Sequence, residues 1–415
     1  MKIKFKETEI GMIPEDWKFD VLSRHLYIKG RIGWKGLQKS EYLKDKSGIA
    51  IVNGTQIQDN KLDWTDCGRV PEWRYDESPE IQLKERDIVM TKDGTIGKVA
   101  FIDKLPEKSS VASGIFVIRS ESGNIDQRFL FYYFKSPLFK WLIETRKEGS
   151  VIPHLYQRDF EEFPFAYPLI SEQSAIAKIL SDLDSKIELN QQMNKNLEAM
   201  CKSIFKQWFI DFEFPNDEDK PYKSSGGAMV DSESGRIPNG WKFGKYSELV
   251  EVITGKGLKR EEFVENGKFP VIGANGELGR TDNFLFNEDL ILTGRVGTLG
   301  TIHIIREKAW ISDNVLISKT KSKEFFYYSY YIIKNFDFES LNRGSTQPLI
   351  TQTDLKNQIC LIPDQTILIL FNRVLSSIFD KIFANHLQNK NLSQIRDSLL
   401  PKLMSGKIRV PVEAN

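Results

Sequence analysis

Apolar positions in residues 174–209 fall at Ile176, Leu180, Leu183 and Ile187, and again at Leu197, Cys201, Ile204 and Trp208. The steps alternate four and three, the seam of a helix that packs lengthwise on another. A second stretch repeats the pattern through Phe371, Leu375, Ile378 and Ile382, then Leu392, Leu399 and Leu403. Asn interrupts both seams at matching positions, Asn190 and Asn194 in the first and Asn385 and Asn389 in the second. The first Asn pair straddles the midpoint of its helix. Antiparallel packing about the centres therefore sets Asn190 opposite Asn389 and Asn194 opposite Asn385. A slipped register would leave buried amides unpaired at about 1–3 kcal/mol each. These four residues are expected to fix the register of the helix pair.

The segment ahead of each helix has a different period. GIAIVNG, DIVMT, VAFI and GIFVIR are short β-branched runs bounded by turn residues, and FPVIGANG, DLILTG, TIHII and NVLISK follow the same style. Short helices are predicted over 124–144 and 323–336, where aromatic residues recur at helical spacing and read as faces buried on a sheet.

The resemblance between the halves is a true repeat. Ile13-Pro14-Glu15-Asp16-Trp17-Lys18-Phe19 returns as Ile237-Pro238-Asn239-Gly240-Trp241-Lys242-Phe243, 224 residues on. GTIG at Gly94–Gly97 returns as GTLG at Gly297–Gly300, 203 on. Gly149-Ser150, Pro153, Asp159 and Pro168 return as Gly344-Ser345, Pro348, Asp354 and Pro363, 195 on, and that offset holds through the helices. The chain is therefore two copies of one unit, with modules that differ in length and helices that do not. A shared scaffold with divergent loops suits two readers of different ligands.

Composition narrows the function classes. The chain has 415 residues, more than one ordinary core holds, and a net charge of +1. Basic residues are nonetheless concentrated in places: residues 29–46 hold six against two acids, while 211–219 read DFEFPNDED. Cys67, Cys201 and Cys360 are isolated, which excludes a disulfide framework or a zinc ribbon. There is no signal peptide pattern and no membrane-length apolar run, so a cytoplasmic location is expected.

The opening motifs IPEDWK and IPNGWK, the Gly-Thr-Ile/Leu-Gly turns, the late Gly-Ser, the helix AIAKILSDLDSKIELNQQ and the ending LLPKLMSGKIRV together resemble the specificity subunits of type I restriction–modification systems. The resemblance covers nearly the whole chain, and the order of motifs, given twice, carries it. It implies an α+β fold of two target-recognition domains, each a mixed β-sheet with short helices followed by a long helix, with the two helices forming an antiparallel coiled coil. The expected boundaries are 1–168 for the first recognition domain and 169–210 for its helix. A linker follows over 211–234, then 235–363 for the second domain and 364–407 for its helix. The resemblance further implies double-stranded DNA as ligand, read as two separated half-sites. It implies two modification (methyltransferase) subunits as partners, which carry the S-adenosylmethionine site, and restriction (translocase/nuclease) subunits. A 36-residue helix spans about 54 Å, or roughly 16 base pairs, a suitable spacer between the half-sites. The exit of the first helix, SIFKQWFIDFEFPNDEDKP, departs from that of the second.

No chemistry of the chain's own is legible. It lacks a GxxxxGK[ST] loop, an HExxH pair, a persuasive carboxylate cluster and the NPPY- or DPPY-like tetrapeptide of adenine methyltransferases. Neither cofactor, metal nor catalytic residue is expected, and GTIG and GTLG read as tight turns between strands. Reading DNA needs Arg, Lys, Asn and Gln at base edges and basic or small polar groups at phosphates. In the first module the candidates are Lys29, Arg31, Lys35, Asn53, Gln56, Lys92, Ser150, His154 and Arg158. In the second they are Lys256, Lys259, Arg260, Asn275, Arg280, Arg295, Arg343, Ser345 and Gln347. The competing readings are a standalone modifying enzyme, against which the missing motifs argue, and a two-module protein–protein scaffold unrelated to DNA.

Overall fold

The computed structural model describes residues 4–31, 36–147, 154–297, 299–344 and 347–411. Its α-helices are α1 (Glu72–Asp76), α2 (Gln127–Lys135), α3 (Pro137–Lys147), α4 (Ile170–Phe209), α5 (Phe326–Ile333), α6 (Gln352–Lys356) and α7 (Gln365–Met404). The chain divides into two compact units. One is Met1–Leu189 together with Gln388–Asn415, and the other is Asn190–Leu387. No helix among the described residues is long and apolar enough to cross a membrane.

The first unit holds an antiparallel four-stranded sheet in the order Val99–Phe101, Ile88–Thr91, Ile115–Ser120, Leu26–Gly30. A three-stranded sheet shares a core with it, through Val52 and Val111 on one side and Val89 and Val117 on the other. Its central strand Ile49–Val52 runs parallel to Ser109–Val111 and antiparallel to Gly68–Val70. The continuous apolar runs IAIV and IVMT are buried at every position, as strands covered on both faces must be. The aromatic stretch over 124–144 is two helices rather than one. Pro137 disfavours helical backbone at the residue before it, and Ser136 is extended at ψ 152°, which separates α2 from α3. Phe129, Phe131, Tyr132, Tyr133 and Phe134 of α2 are all buried.

The second unit repeats this plan. Ile302–Ile305, Leu290–Gly294, Val315–Thr320 and Val250–Thr254 form the four-stranded sheet in the same order. Phe269–Gly273 is central to the three-stranded sheet, parallel to Trp310–Ile311 and antiparallel to Gly276–Thr281. The shared topology shows that the sequence repeat is a repeat of structure.

The long helices α4 and α7 are each 40 residues, and both ends keep the 195-residue offset. Each unit contains part of both. In the first unit Ile176, Ala177 and Leu180 of α4 share a core with Leu400, Leu403 and Met404 of α7. Asp184 accepts a hydrogen bond from Arg396 at 2.7 Å. In the second unit Phe371 of α7 packs on Phe205, Trp208 and Phe209 of α4. Numbers rise along one helix as they fall along the other, so the packing in each unit is antiparallel, that of a coiled coil.

The repeated opening motif seats each module on its helices. The Trp17 backbone donates to the Pro14 carbonyl at 3.0 Å, and Trp241 donates to Pro238 at 3.1 Å. These tight turns drive Ile13 and Trp17, and Ile237 and Trp241, into the cores that hold the helix ends.

Candidate nucleic-acid interface

The two glycine turns join neighbouring strands of the four-stranded sheets. Gly94 and Gly97 have φ of 66° and 82°, and Gly297 and Gly300 have 79° and 74°. This left-handed backbone is where glycine is favoured. In the first turn the Thr91 hydroxyl donates to the Thr95 carbonyl at 2.5 Å and accepts from the Lys98 backbone at 2.9 Å.

A basic residue stands where each strand enters its turn, Lys92 in one unit and Arg295 in the other, 203 residues apart. Both meet the same crossing segment. Leu155 donates its backbone N–H to the Lys92 carbonyl at 2.9 Å, and Ile350, 195 residues on, donates to the Arg295 carbonyl at 3.0 Å. The next residues also match, with Asp93 bridging to His154 and Val296 bridging to Leu349. The scaffold at this point is duplicated bond for bond, while the side chains around it differ.

In the first unit those side chains form a polar ladder. The His154 Nδ1 contacts the Asp93 carboxylate. The His154 ring lies 4.3 Å from that of Tyr156, tilted by 57°, and the Arg158 guanidinium lies 4.8 Å over the Tyr156 ring. Tyr156 is 48% exposed, so this aromatic surface faces solvent. Lys92 sits 5.2 Å over Phe116. Tyr156 and Asp93 are absent from the sequence candidates; the spacing His-x-Tyr-x-Arg, with side chains on alternate positions, was the available signal.

Other candidates in this unit lie elsewhere. Lys29 is the cross-strand neighbour of Val117, whereas Lys92 contacts Phe116, so the two lysines belong to opposite faces of the sheet. Arg31 is 2% exposed, donates to the Val111 carbonyl at 3.2 Å, and is 3.7 Å from Glu77; burial lowers the affinity of its guanidinium for a proton. Gln56 is buried between the Asn53 N–H and the Asp66 carbonyl. Asn53 closes a local turn by accepting from the Thr55 N–H and hydroxyl at 2.9 and 2.6 Å. Arg31, Asn53 and Gln56 thus hold the module's own backbone. Lys35, Ser150 and Ser345 lie outside the described residues, as does the loop Gly149-Ser150.

In the second unit four candidates converge. The Arg295 backbone donates to Asn314, the Lys256 backbone to Ile311, and the Arg343 backbone to Leu349, which gathers these residues around one end of the sheet. Gln347 is exposed on the same crossing segment. The Arg295 Nε is buried and makes no hydrogen bond within the described residues. Arg343 pairs with Asp354. Burial works against the Asp354 charge, but hydrogen bonds from Thr351 and Arg343 hold its carboxyl below the usual range. The Asn342 side-chain oxygen accepts from the backbone N–H groups of both Gly344 and Leu349 at 2.9 Å, which fixes the loop. Lys259 and Arg260 are exposed further along the segment that begins at Lys256. Asn275 is exposed in a turn of the three-stranded sheet, and Arg280 is spent there on the Gly267 and Lys268 carbonyls and on Glu277.

Of the four helix asparagines, Asn190, Asn194 and Asn385 are buried and Asn389 is half-buried. Asn385 donates to Asn194, which in turn donates to the Ile382 carbonyl at 3.2 Å.

Among the described residues no group of His, Cys, Asp and Glu could hold a metal ion. The comparison with known proteins agrees with the duplicated plan: the family model for the type I restriction modification DNA specificity domain matches residues 34–199 and again 238–396. The chain belongs to that family. The MjaIX specificity subunit of a type I restriction enzyme of Methanocaldococcus jannaschii is 28% identical over 98% of this chain and 97% of its own length. The HindI specificity subunit of Haemophilus influenzae is 24% identical over 87% of this chain and 94% of its own. The crystal structure of a type I restriction–modification S subunit from M. genitalium superposes with a TM-score of 0.63 at 18% identity, covering 97% of this chain and 99% of that one, which shows a common fold. Against this family background, the duplicated turn with its basic residue is the scaffold that the two specificity modules share.

Proposed function

We propose that this chain is the non-catalytic DNA reader of a type I complex, with each module recognising one half of a split target. The observation that carries the reading is the pairing of Lys92 with Arg295. The same backbone bonds position a cation at the same point of both modules, while the residues around it are Asp93, His154, Tyr156 and Arg158 in one and Val296, Leu349, Arg343 and Gln347 in the other. Shared cations suit phosphates, which look alike in every sequence, and divergent neighbours suit bases, which do not.

Helices of 40 residues are about 60 Å long and act in this reading as the spacer between half-sites. They also dock two modification subunits, which carry the S-adenosylmethionine site and the adenine-methylating chemistry, and the restriction subunits. A net charge of +1 fits a reader that draws part of its electrostatic attraction for DNA from such partners.

The test is co-expression with the modification subunit of the same system, followed by mapping of methylated adenine across a genomic library. The expected result is two short specified blocks around a fixed unspecified gap. Methylation at a continuous site would overturn the two-module reading, and no methylation would turn the assignment toward a protein scaffold.

A further inference from the structure

The two recognition modules sit on their helices through different chemistry at equivalent positions. In the first unit Asp184 of α4 accepts hydrogen bonds from Tyr132 at 2.8 Å, Lys135 at 3.2 Å and Arg396 at 2.7 Å. The residues 195 positions from these are Phe379, Tyr327, Tyr330 and Cys201. In the second unit Phe379 stacks on Tyr327 with ring centroids 4.6 Å apart, and Tyr330 meets it edge-on at 5.8 Å. Cys201 is buried in the same core. The acid and its two cationic donors are replaced by Phe, Tyr and Cys, while the Tyr132 position stays Tyr.

A second joint shows the same exchange. Arg409 binds Asp16 at 2.7 and 2.9 Å and the buried Glu172 at 2.6 and 2.7 Å. The residue 195 positions before it, Phe214, stacks on Trp241 at 5.0 Å and on Tyr222 at 4.5 Å. A third position differs in charge. Arg306 of the second module pairs with Asp380 of α7 at 2.7 Å. Its counterpart in the first module is Asp103, which pairs with Arg128 in its own module.

We infer that Asp184, Arg396 and Lys135 in one unit, and Phe379, Cys201 and Tyr330 in the other, form a key that assigns each module to its own half of the helix pair. The first module on the second half would set the Lys135 ammonium against Phe379 and would leave Asp380 without Arg306. A largely buried cation without its acid opposes that seating, and the lost surface pair adds little. Both docking helices present a Tyr, Tyr132 or Tyr327, and they differ three residues on. The first half accepts the Lys135 cation there, and the second accepts the Tyr330 ring.

The experiment uses the full chain without DNA or partner subunits, so its outcome is independent of the proposed function. Amide hydrogen exchange is followed in α2 (Gln127–Lys135), with α5 (Phe326–Ile333) as internal control. Asp184→Phe with Arg396→Cys is expected to speed exchange in α2 by about tenfold or more and to leave α5 unchanged. Adding Lys135→Tyr completes the second half's set and is expected to restore most of the protection. The reciprocal set, Phe379→Asp with Cys201→Arg and then Tyr330→Lys, is expected to loosen and retighten α5. Rescue by the third substitution in either unit supports the key. Unchanged exchange in the double variants, or third substitutions that restore nothing in either unit, would overturn it.

Discussion

The side-chain amide of Asn385 donates to the side-chain oxygen of Asn194 across 2.7 Å, with both residues buried in one compact unit. Asn194 spends its own amide on the Ile382 carbonyl, so the pair has a direction as well as a partner. A one-residue slip of either helix breaks both bonds.

Asn194→Leu alone is therefore expected to destabilise the second unit by about 1–3 kcal/mol, the cost of leaving a buried amide unpaired. Asn194→Leu with Asn385→Leu should recover much of that loss, because the polar group left behind is gone. Urea unfolding gives the stabilities, and cysteine cross-linking across α4 and α7 reads the register. A double variant that cross-links in a single register as tightly as the parent would remove these asparagines from that role.

Acid should act unequally on the two seats where α2 and α5 meet the long helices. Burial alone would raise the Asp184 carboxyl, but Lys135, Arg396 and the Tyr132 hydroxyl together hold it below its ordinary range. Hydrogen bonds from Arg409 likewise lower Asp16. Both shifts are downward. The stabilisation is thus fully present above the unfolded carboxylate pKa of about 4 and is lost as pH falls through the lower folded values. The position matching Asp184 is Phe379, which does not titrate. Pepsin digestion at stepwise lower pH, with cuts mapped by mass spectrometry, should open α2 before α5; simultaneous opening would contradict the assignment.

Lys92→Ala and Arg295→Ala are each expected to weaken duplex binding by the assembled complex and to reduce its salt slope by about one, with sequence preference kept. Tyr156→Ala and Arg158→Ala should instead relax preference in one half-site only, since their ladder exists in one module only. Competition binding with each half-site randomised separately distinguishes the two behaviours. A loss of preference in both halves from Tyr156→Ala would refute the division of labour.

Gly406 carries φ 68°, and a Cβ there would come within 2.4 Å of the Pro14 ring and 3.1 Å of Trp17. Gly406→Ala should cost about 1–2 kcal/mol in backbone strain, with further loss from the clash. Thermal unfolding should show it as a lower midpoint, and Arg409 should release Asp16.

Much of this architecture was legible in the residues. The 195-residue offset is a property of side-chain order, so it survives into two helices with matching ends, and the glycine turns declare themselves because left-handed backbone restricts what can stand there. The two-way division of each helix was not legible. A heptad seam tells that a helix has a partner but not which half of it shares a core with which module, so the sequence reads as module then helix where the structure mixes both helices into each unit. The candidate site was partly legible for a related reason. Lys92 and Arg295 follow a recognisable strand and turn. Arg31 and Gln56 have the composition of loop residues, and only the long-range contacts to Val111 and Asp66 reveal that they face inward. Pro137 within an otherwise helical aromatic run marked a break that periodicity alone passes over.

Because Leu400, Leu403 and Met404 complete the core around Trp17, and Arg409 ties down Asp16, the first unit lacks part of its interior until the ribosome has made residues 400–409. The second unit, Asn190–Leu387, is one uninterrupted segment. Synthesis therefore reverses the order of the sequence: the module translated second has all its parts first, and the module translated first waits, its apolar face open, for a helix that arrives some two hundred residues later.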